Sequence, residues 1–229
     1  MLTLEQLVIV QDDFHLSADW SVPTGCQLAI IGPSGGGKST LLGAVSGFVS
    51  ANGRVLWQGE ALDGLPPGKR PNAMLFQDQN LFPHLTAAQN VGLALSQKRL
   101  TAAQQSVVEQ ALGRVGLQGL EGRKPGQLSG GQQSRVALAR LLLQDRPLWL
   151  LDEPFAALGP GLRLEMLALV KQIATEAGAT VLMVTHDPED ARRFADAIVV
   201  VDNGIAQAPR PTAEVFDNPD EALRQYLGQ

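Results

Sequence analysis

The sequence predicts an α/β fold: a parallel sheet wrapped by helices, with an N-terminal antiparallel β-subdomain and an inserted helical subdomain. Three observations predict it. Short, wholly apolar runs recur where strands buried on both faces would lie. Two longer runs at the N-terminus flank a polar turn. A central stretch carries threonine–glutamine pairs spaced to cap helices.

The elements follow in order. Leu2 to Val10 and Phe14 to Val22 flank Gln11-Asp12-Asp13 and read as an antiparallel hairpin beside the main sheet. Gln27 to Ile31 is the first buried strand, entered through Pro23-Thr24-Gly25 and followed by glycines. Met74 to Phe76, Leu148 to Leu151, Thr180 to Val184 and Ile198 to Val201 repeat the pattern, each near a helical segment. Asp202-Asn203-Gly204 reads as a hairpin turn. Thr86/Gln89 and Thr101/Gln104 fit the capping box, in which a hydroxyl and an amide satisfy the free N–H groups of a helix start. The chain is therefore read as one domain over 1–229. Residues 1–78 and 146–229 form its core, and 79–145 form a helical insert.

Composition narrows the function. The 229 residues suffice for one α/β domain with a sizeable core. A net charge of −5 lacks the basic footprint of general nucleic-acid binding, so no nucleic-acid partner is expected. Cys26, the only cysteine, permits no internal disulfide and no cysteine zinc site. The N-terminus lacks the basic start of a signal peptide, and no apolar run approaches the roughly 18 residues of a membrane span. A role at a membrane would require docking to something that crosses it.

Gly32-Pro33-Ser34-Gly35-Gly36-Gly37-Lys38-Ser39-Thr40 matches G-x-x-x-x-G-K-[ST] after a strand and before a helix. Glycines let backbone N–H groups curl around a phosphate, and the following helix adds its positive end. Lys38 is expected to reach the β- and γ-phosphates as a mobile cation. Ser39 is the expected Mg²⁺ ligand, and Thr40 should lie near the α-phosphate. Leu148 to Leu151 ends in Asp152-Glu153, at the strand edge where ligands bind in open α/β sheets. Asp152 is the expected second Mg²⁺ partner, and Glu153 is placed to polarise an attacking water. Leu128-Ser129-Gly130-Gly131-Gln132 precedes a helical run. Ser129 and Gln132 have the spacing of an ordinary helix cap. Alternatively, Ser129, Gly130 and Gly131 present donors at a helix N-terminus, which is an anion site. Since the phosphate loop holds its own phosphate, a second anion site implies a partner chain.

The ordered set of Gly32 to Thr40, Gln77, Leu128 to Gln132, Asp152-Glu153 and His186 resembles the ABC ATPase family over essentially the whole chain. The resemblance implies a P-loop NTPase (RecA-like) core that hydrolyses ATP with Mg²⁺. It implies a head-to-tail homodimer, each ATP lying between one phosphate loop and the twin's Ser129–Gln132. Gln77, read as the end of the strand at Met74, would touch Mg²⁺ and the attacking water. His186 would contact the γ-phosphate and act with Glu153 and Lys38 in catalysis. Transmembrane permease subunits, a periplasmic solute-binding protein and the cytoplasmic face of a bacterial inner membrane are implied as well.

Two positions depart from the family pattern. Gly159 stands where an aspartate usually helps to couple the two ATP sites. Gln11 stands where an aromatic usually stacks on adenine, with Phe14 nearby, so modest discrimination of ATP from GTP is expected. Arg70 to Leu95 and Leu100 to Gln105 are similar to the ATPases of bacterial thiamine importers, and the short length agrees. That implies import of thiamine, including its phosphate esters; import of iron(III) or another small solute is the alternative. Leu81-Phe82-Pro83-His84-Leu85 is apolar for a loop, and reads either as local packing or as a socket for a permease helix. Three rival classes fit less well: a soluble ABC ATPase acting on DNA or translation does not match one compact, acidic cassette, a P-loop kinase would not need Leu128 to Gln132, and Glu153 and His186 argue against a non-catalytic ATP-binding regulator, which Gly159 keeps open.

Overall fold

The computed structural model describes residues 1–78, 80–219 and 224. Gln79, the first residue assigned to the helical insert, and most of the last ten residues of the core lie outside the described residues. The chain runs β1 (Leu2–Gln11), β2 (Phe14–Val22), β3 (Gln27–Ile31), α1 (Lys38–Ser46), β4 (Asn52–Trp57), β5 (Glu60–Ala61), β6 (Asn72–Leu75). Then come α2 (Ala87–Gly92), α3 (Ala102–Arg114), α4 (Gly130–Leu142), β7 (Leu148–Asp152), α5 (Pro160–Ala177), β8 (Thr180–Val184) and α6 (Pro188–Phe194). The chain continues through β9 (Ala197–Asp202), β10 (Ile205–Ala206), β11 (Arg210–Pro211) and α7 (Thr212–Asp217).

The strands form one mixed sheet in the order β5-β4-β1-β2-β10-β9-β3-β8-β7-β6, with β11 on β9. Strands β9, β3, β8, β7 and β6 are mutually parallel. Their alternate side chains enter two cores. Ala29, Leu151, Met183 and Val200 join one, with α2 to α6. Leu28, Leu150, Leu182 and Val199 join the other, with α1, β1 and β2. A strand covered on both faces has no polar side, which is why these runs read as unbroken apolar sequence. The last of them at the edge is corrected by the structure: it spans Asn72–Leu75, two residues earlier than its most apolar part. The N-terminal hairpin is joined to the main sheet through β10, which pairs with β2 on one side and β9 on the other. Asn203 and Gly204 both take positive φ in the turn between β9 and β10, as a two-residue hairpin requires.

Helices α2, α3 and α4 fall between β6 and β7, and each opens with a complete capping box: Thr86/Gln89, Thr101/Gln104 and Ser129/Gln132. Helix α1 ends at Gly47, where the guanidinium of buried Arg70 donates to Ala44 O at 2.8 Å and Val45 O at 2.9 Å. Those carbonyls lie in the last turn, where helical N–H donors run out; Ala44 O also accepts from Gly47 N at 3.2 Å.

Candidate active site

Register places the site. Ile30 of β3 lies beside Val184 of β8, and Val184 lies beside Asp152 of β7. The carboxyl ends of three central strands therefore coincide. Gly32 follows the first, Asp152-Glu153 close the second, and Thr185-His186 follow the third. This is the edge at which open parallel sheets bind ligands.

The loop from Gly32 to Lys38 is walled by its own chain. Gly32 has φ 145°, and a Cβ there would sit 2.2 Å from Val201 O, so only glycine fits. A Cβ on Gly37 would meet the Phe14 ring at 2.3 Å. Helix α1 then starts at Lys38 from a left-handed Gly37, with no side-chain cap on its first turn. Lys38 opens that helix. Its ammonium is buried and donates to Gly32 O at 2.9 Å and Pro33 O at 2.8 Å, folded onto the loop it belongs to. Burial lowers its pKa, against the raising influence of Glu153 and Asp152.

Ser39 Oγ donates to Asp152 Oδ1 at 2.8 Å. Burial raises the Asp152 pKa, and the Ser39 hydrogen bond opposes that rise. A hydroxyl and a carboxylate side by side are hard oxygen donors of the kind Mg²⁺ takes beside substrate phosphates. Glu153 sits at φ 44°, a left-handed position that a non-glycine residue occupies at a cost, and its N–H is tied to Val184 O at 3.1 Å. Its Oε2 lies 3.0 Å from His186 Nδ1. A cleft of about 240 Å³ is lined by Gln11, Phe14, residues 34–35 and 37–40, and Glu153. The polar Gln11 and the aromatic Phe14 thus share one wall.

Two predicted groups stand apart. Among the described residues, neither Gln77 nor Ser129–Gln132 lines this cleft. Gln77 is not a strand end: it is exposed in a turn two residues past β6. The strand stops sooner because Phe76 already leaves the ladder with β7. At Ser129 the structure shows the helix-cap reading. Ser129 Oγ accepts from Gln132 N at 3.3 Å and Gln132 Oε1 accepts from Ser129 N at 2.9 Å. The box does not use the N–H groups of Gly130 and Gly131. Ser129 and Gly130 face outward, while Gly131 packs on Leu162 of the same chain. Gly159 is the N-cap of α5 without a side-chain hydrogen bond, and a Cβ there would meet open space. Burial and Asp196 push the Cys26 thiol up to about 11.

A second cleft, of about 360 Å³, lies on the β6 side, lined by Phe48, Met74, Phe76, Asn80, Phe82 and Arg140 among others. Phe48 and Phe82 are among the most exposed apolar side chains described. The loop carrying Phe82 is fixed by Asn90, which is fully buried. Asn90 accepts from Phe82 N at 2.8 Å and donates to the carbonyls of Phe82, Leu85 and Thr86 at 3.1, 3.2 and 3.0 Å. Sequence reasoning missed both Asn90 and Arg70, because a polar letter does not say which distant carbonyl it serves. Among the described residues, no helix is long and apolar enough to cross a membrane.

The sequence profile of the ABC transporter family matches residues 16–156. The chain is 61% identical to the thiamine import ATP-binding protein of Cereibacter sphaeroides, with all of both chains covered. It is 56% identical, again over all of both chains, to the protein of the same name from a Ruegeria species. The fold is similar to that of the ATP-binding cassette MJ0796, solved as a dimer in a post-hydrolysis state bound to ADP and Pi. That similarity has a TM-score of 0.79 and 29% identity, over 93% of this chain and 99% of that one.

Proposed function

Because this chain belongs to the ABC transporter family, we propose that it is the ATP-hydrolysing subunit of a bacterial thiamine importer. One observation carries the catalytic part. The Ser39–Asp152 pair at 2.8 Å and the Glu153–His186 pair at 3.0 Å flank the same phosphate loop. Phosphoryl transfer asks a protein mostly for positioning and charge stabilisation, and these are the groups it uses. The loop amides from Gly32 to Gly37 and Lys38 hold the phosphates. Thr40 adds a hydroxyl at the helix start. Ser39, Asp152 and Gln77 would hold Mg²⁺, which neutralises phosphate charge when bound. Glu153 orients the attacking water, and His186 keeps that carboxylate in place and meets the γ-phosphate.

Two copies pack head to tail, so that Ser129, Gly130, Gly131 and Gln132 of each complete the other's site. The outward-facing Ser129 and Gly130 support this, as does the likeness to a cassette solved as a dimer. Residues 79–145 form the helical insert in this reading, and 1–78 with 146–229 the nucleotide core. The cleft around Phe48, Phe76 and Phe82 receives a short permease helix, an apolar surface against an apolar face. The subunit therefore sits peripherally on the cytoplasmic face of the inner membrane, served from outside by a periplasmic binding protein.

The cargo reading rests on full-length relatives named for thiamine import. Uptake of labelled thiamine by cells lacking the chain tests it: uptake is expected to fall to background, and unchanged uptake removes the cargo assignment. Mg²⁺-dependent ATP hydrolysis, raised by the permease, is the matching assay for the enzyme.

A further inference from the structure

Arg163 lies in the first turn of α5, its N–H bonded to Gly159 O at 2.9 Å. Its side chain is mostly buried and holds two carboxylates at once. One nitrogen bonds Asp187 Oδ2, and Nε lies 3.1 Å from Asp190 Oδ1. Both acids belong to the turn that carries His186. Within that turn Asp187 N donates to Thr185 Oγ1 at 3.1 Å, and Thr185 Oγ1 donates to Asp190 Oδ2 at 3.3 Å. Asp187 Oδ1 also caps α6 by accepting from Glu189 N at 2.9 Å. His186 is thus mounted on a small hydrogen-bonded frame, and Arg163 ties that frame to α5.

We infer that Arg163 is a positioning residue for ATP hydrolysis, fixing the His186 ring against Glu153 without touching nucleotide itself. The planar guanidinium suits this because its fork reaches two acceptors in one plane. A lysine, a single point charge, would serve one of the acids and release the other. Burial raises the Asp190 pKa, with Arg163 the largest opposing influence, so the cation also compensates a desolvated carboxylate. The same turn of α5 carries Leu162, packed against Gly131. The segment proposed to meet the twin's nucleotide and the turn holding His186 therefore share one support.

The test is steady-state ATP hydrolysis by the full chain with Mg²⁺, in a double-mutant cycle. Arg163→Lys keeps the charge. Arg163→Met is combined with Asp190→Asn, so that no buried acid is stranded; thermal melts identify the folded variants. The expected result is a roughly tenfold fall in kcat for both, since small misplacements of catalytic groups are costly. The KM for ATP stays within about twofold, because binding contacts are intact. In a His186→Ala background neither variant is expected to lower the rate further. A folded variant with wild-type kcat, or losses that multiply in full with His186→Ala, would overturn the inference. It rests on the ATPase reading: a wild-type chain without Mg²⁺-dependent turnover overturns both, whereas an active wild type with unaffected Arg163 variants sinks this inference alone.

Discussion

The phosphate loop and the Ser129–Gln132 segment start from the same material, glycines ahead of a helix, and end in opposite designs. The loop is enclosed by its own chain. Val201 and Phe14 press on two of its glycines, Ser39 is bonded to Asp152, and the helix start has no side-chain cap. The other segment is capped by its own Gln132, rests on Leu158 and Leu162, and turns Ser129 and Gly130 outward. A loop that binds a ligand alone needs its walls and counter-charges within the chain. A segment that completes someone else's site needs only a stable mount and exposed donors.

Substitutions can break or sharpen that contrast. The largest effect is expected at Glu153, inside the enclosed half. Glu153→Gln should slow hydrolysis about 10²- to 10⁴-fold, the usual reach of a positioned base. An ATP-loaded dimer should accumulate on gel filtration; a species that stays monomeric would remove the head-to-tail arrangement. Ser129→Ala should slow turnover roughly 10²-fold, as the loss of one charge-stabilising donor does. It should leave ATP binding to the isolated chain unchanged, whereas Lys38→Ala should abolish that binding. Equal binding losses for the two would erase the contrast.

Stability should divide the same way. Gly32→Ala forces a Cβ to 2.2 Å from Val201 O. It should cost about 3 kcal/mol in chemical denaturation, through strain and overpacking. Gly130→Ala meets nothing closer than Leu158 at 3.6 Å and should be close to neutral. The gentlest change is at Gly159, where open space and extended backbone admit an aspartate. Gly159→Asp should cap α5 and raise stability by roughly a few tenths of a kcal/mol; a lower melting temperature would contradict it.

Asp152 gives a pH signature. Its folded-state pKa is raised above 3.8 by burial. Folding is therefore penalised at pH above the raised value, and the penalty fades as pH falls from there toward the unfolded value, below which it is gone. In the presence of a chelator, Asp152→Asn should melt higher than wild type at neutral pH, with the gap closing on acidification. A constant gap would locate the effect elsewhere.

Much of this was readable in the residues, for physical reasons. Strands covered on both faces must be apolar throughout, so Gln27–Ile31 and Thr180–Val184 declare their bounds. Capping boxes are local bargains between residues three apart, so Thr86, Thr101 and Ser129 declare helix starts. The short strands β4 and β5 are not legible because most of their residues are exposed and Asn52-Gly53 resembles a turn. Gln77 reads as a strand end because Phe76 extends the apolar run, although pairing stops at Leu75. The clamp of Arg70 on α1 and the fork of Arg163 span partners that sequence order does not bring together.

The little strand β10 has a mechanical consequence. It splices the antiparallel wall bearing Phe14 to the parallel strands, and Trp20 Nε1 reinforces the splice by donating to Ala206 O at 3.1 Å. A plate welded along such a joint cannot swing away from the phosphate cradle without shearing backbone bonds. Gln11 and Phe14 are therefore carried in fixed register with the strands that lead into the cradle.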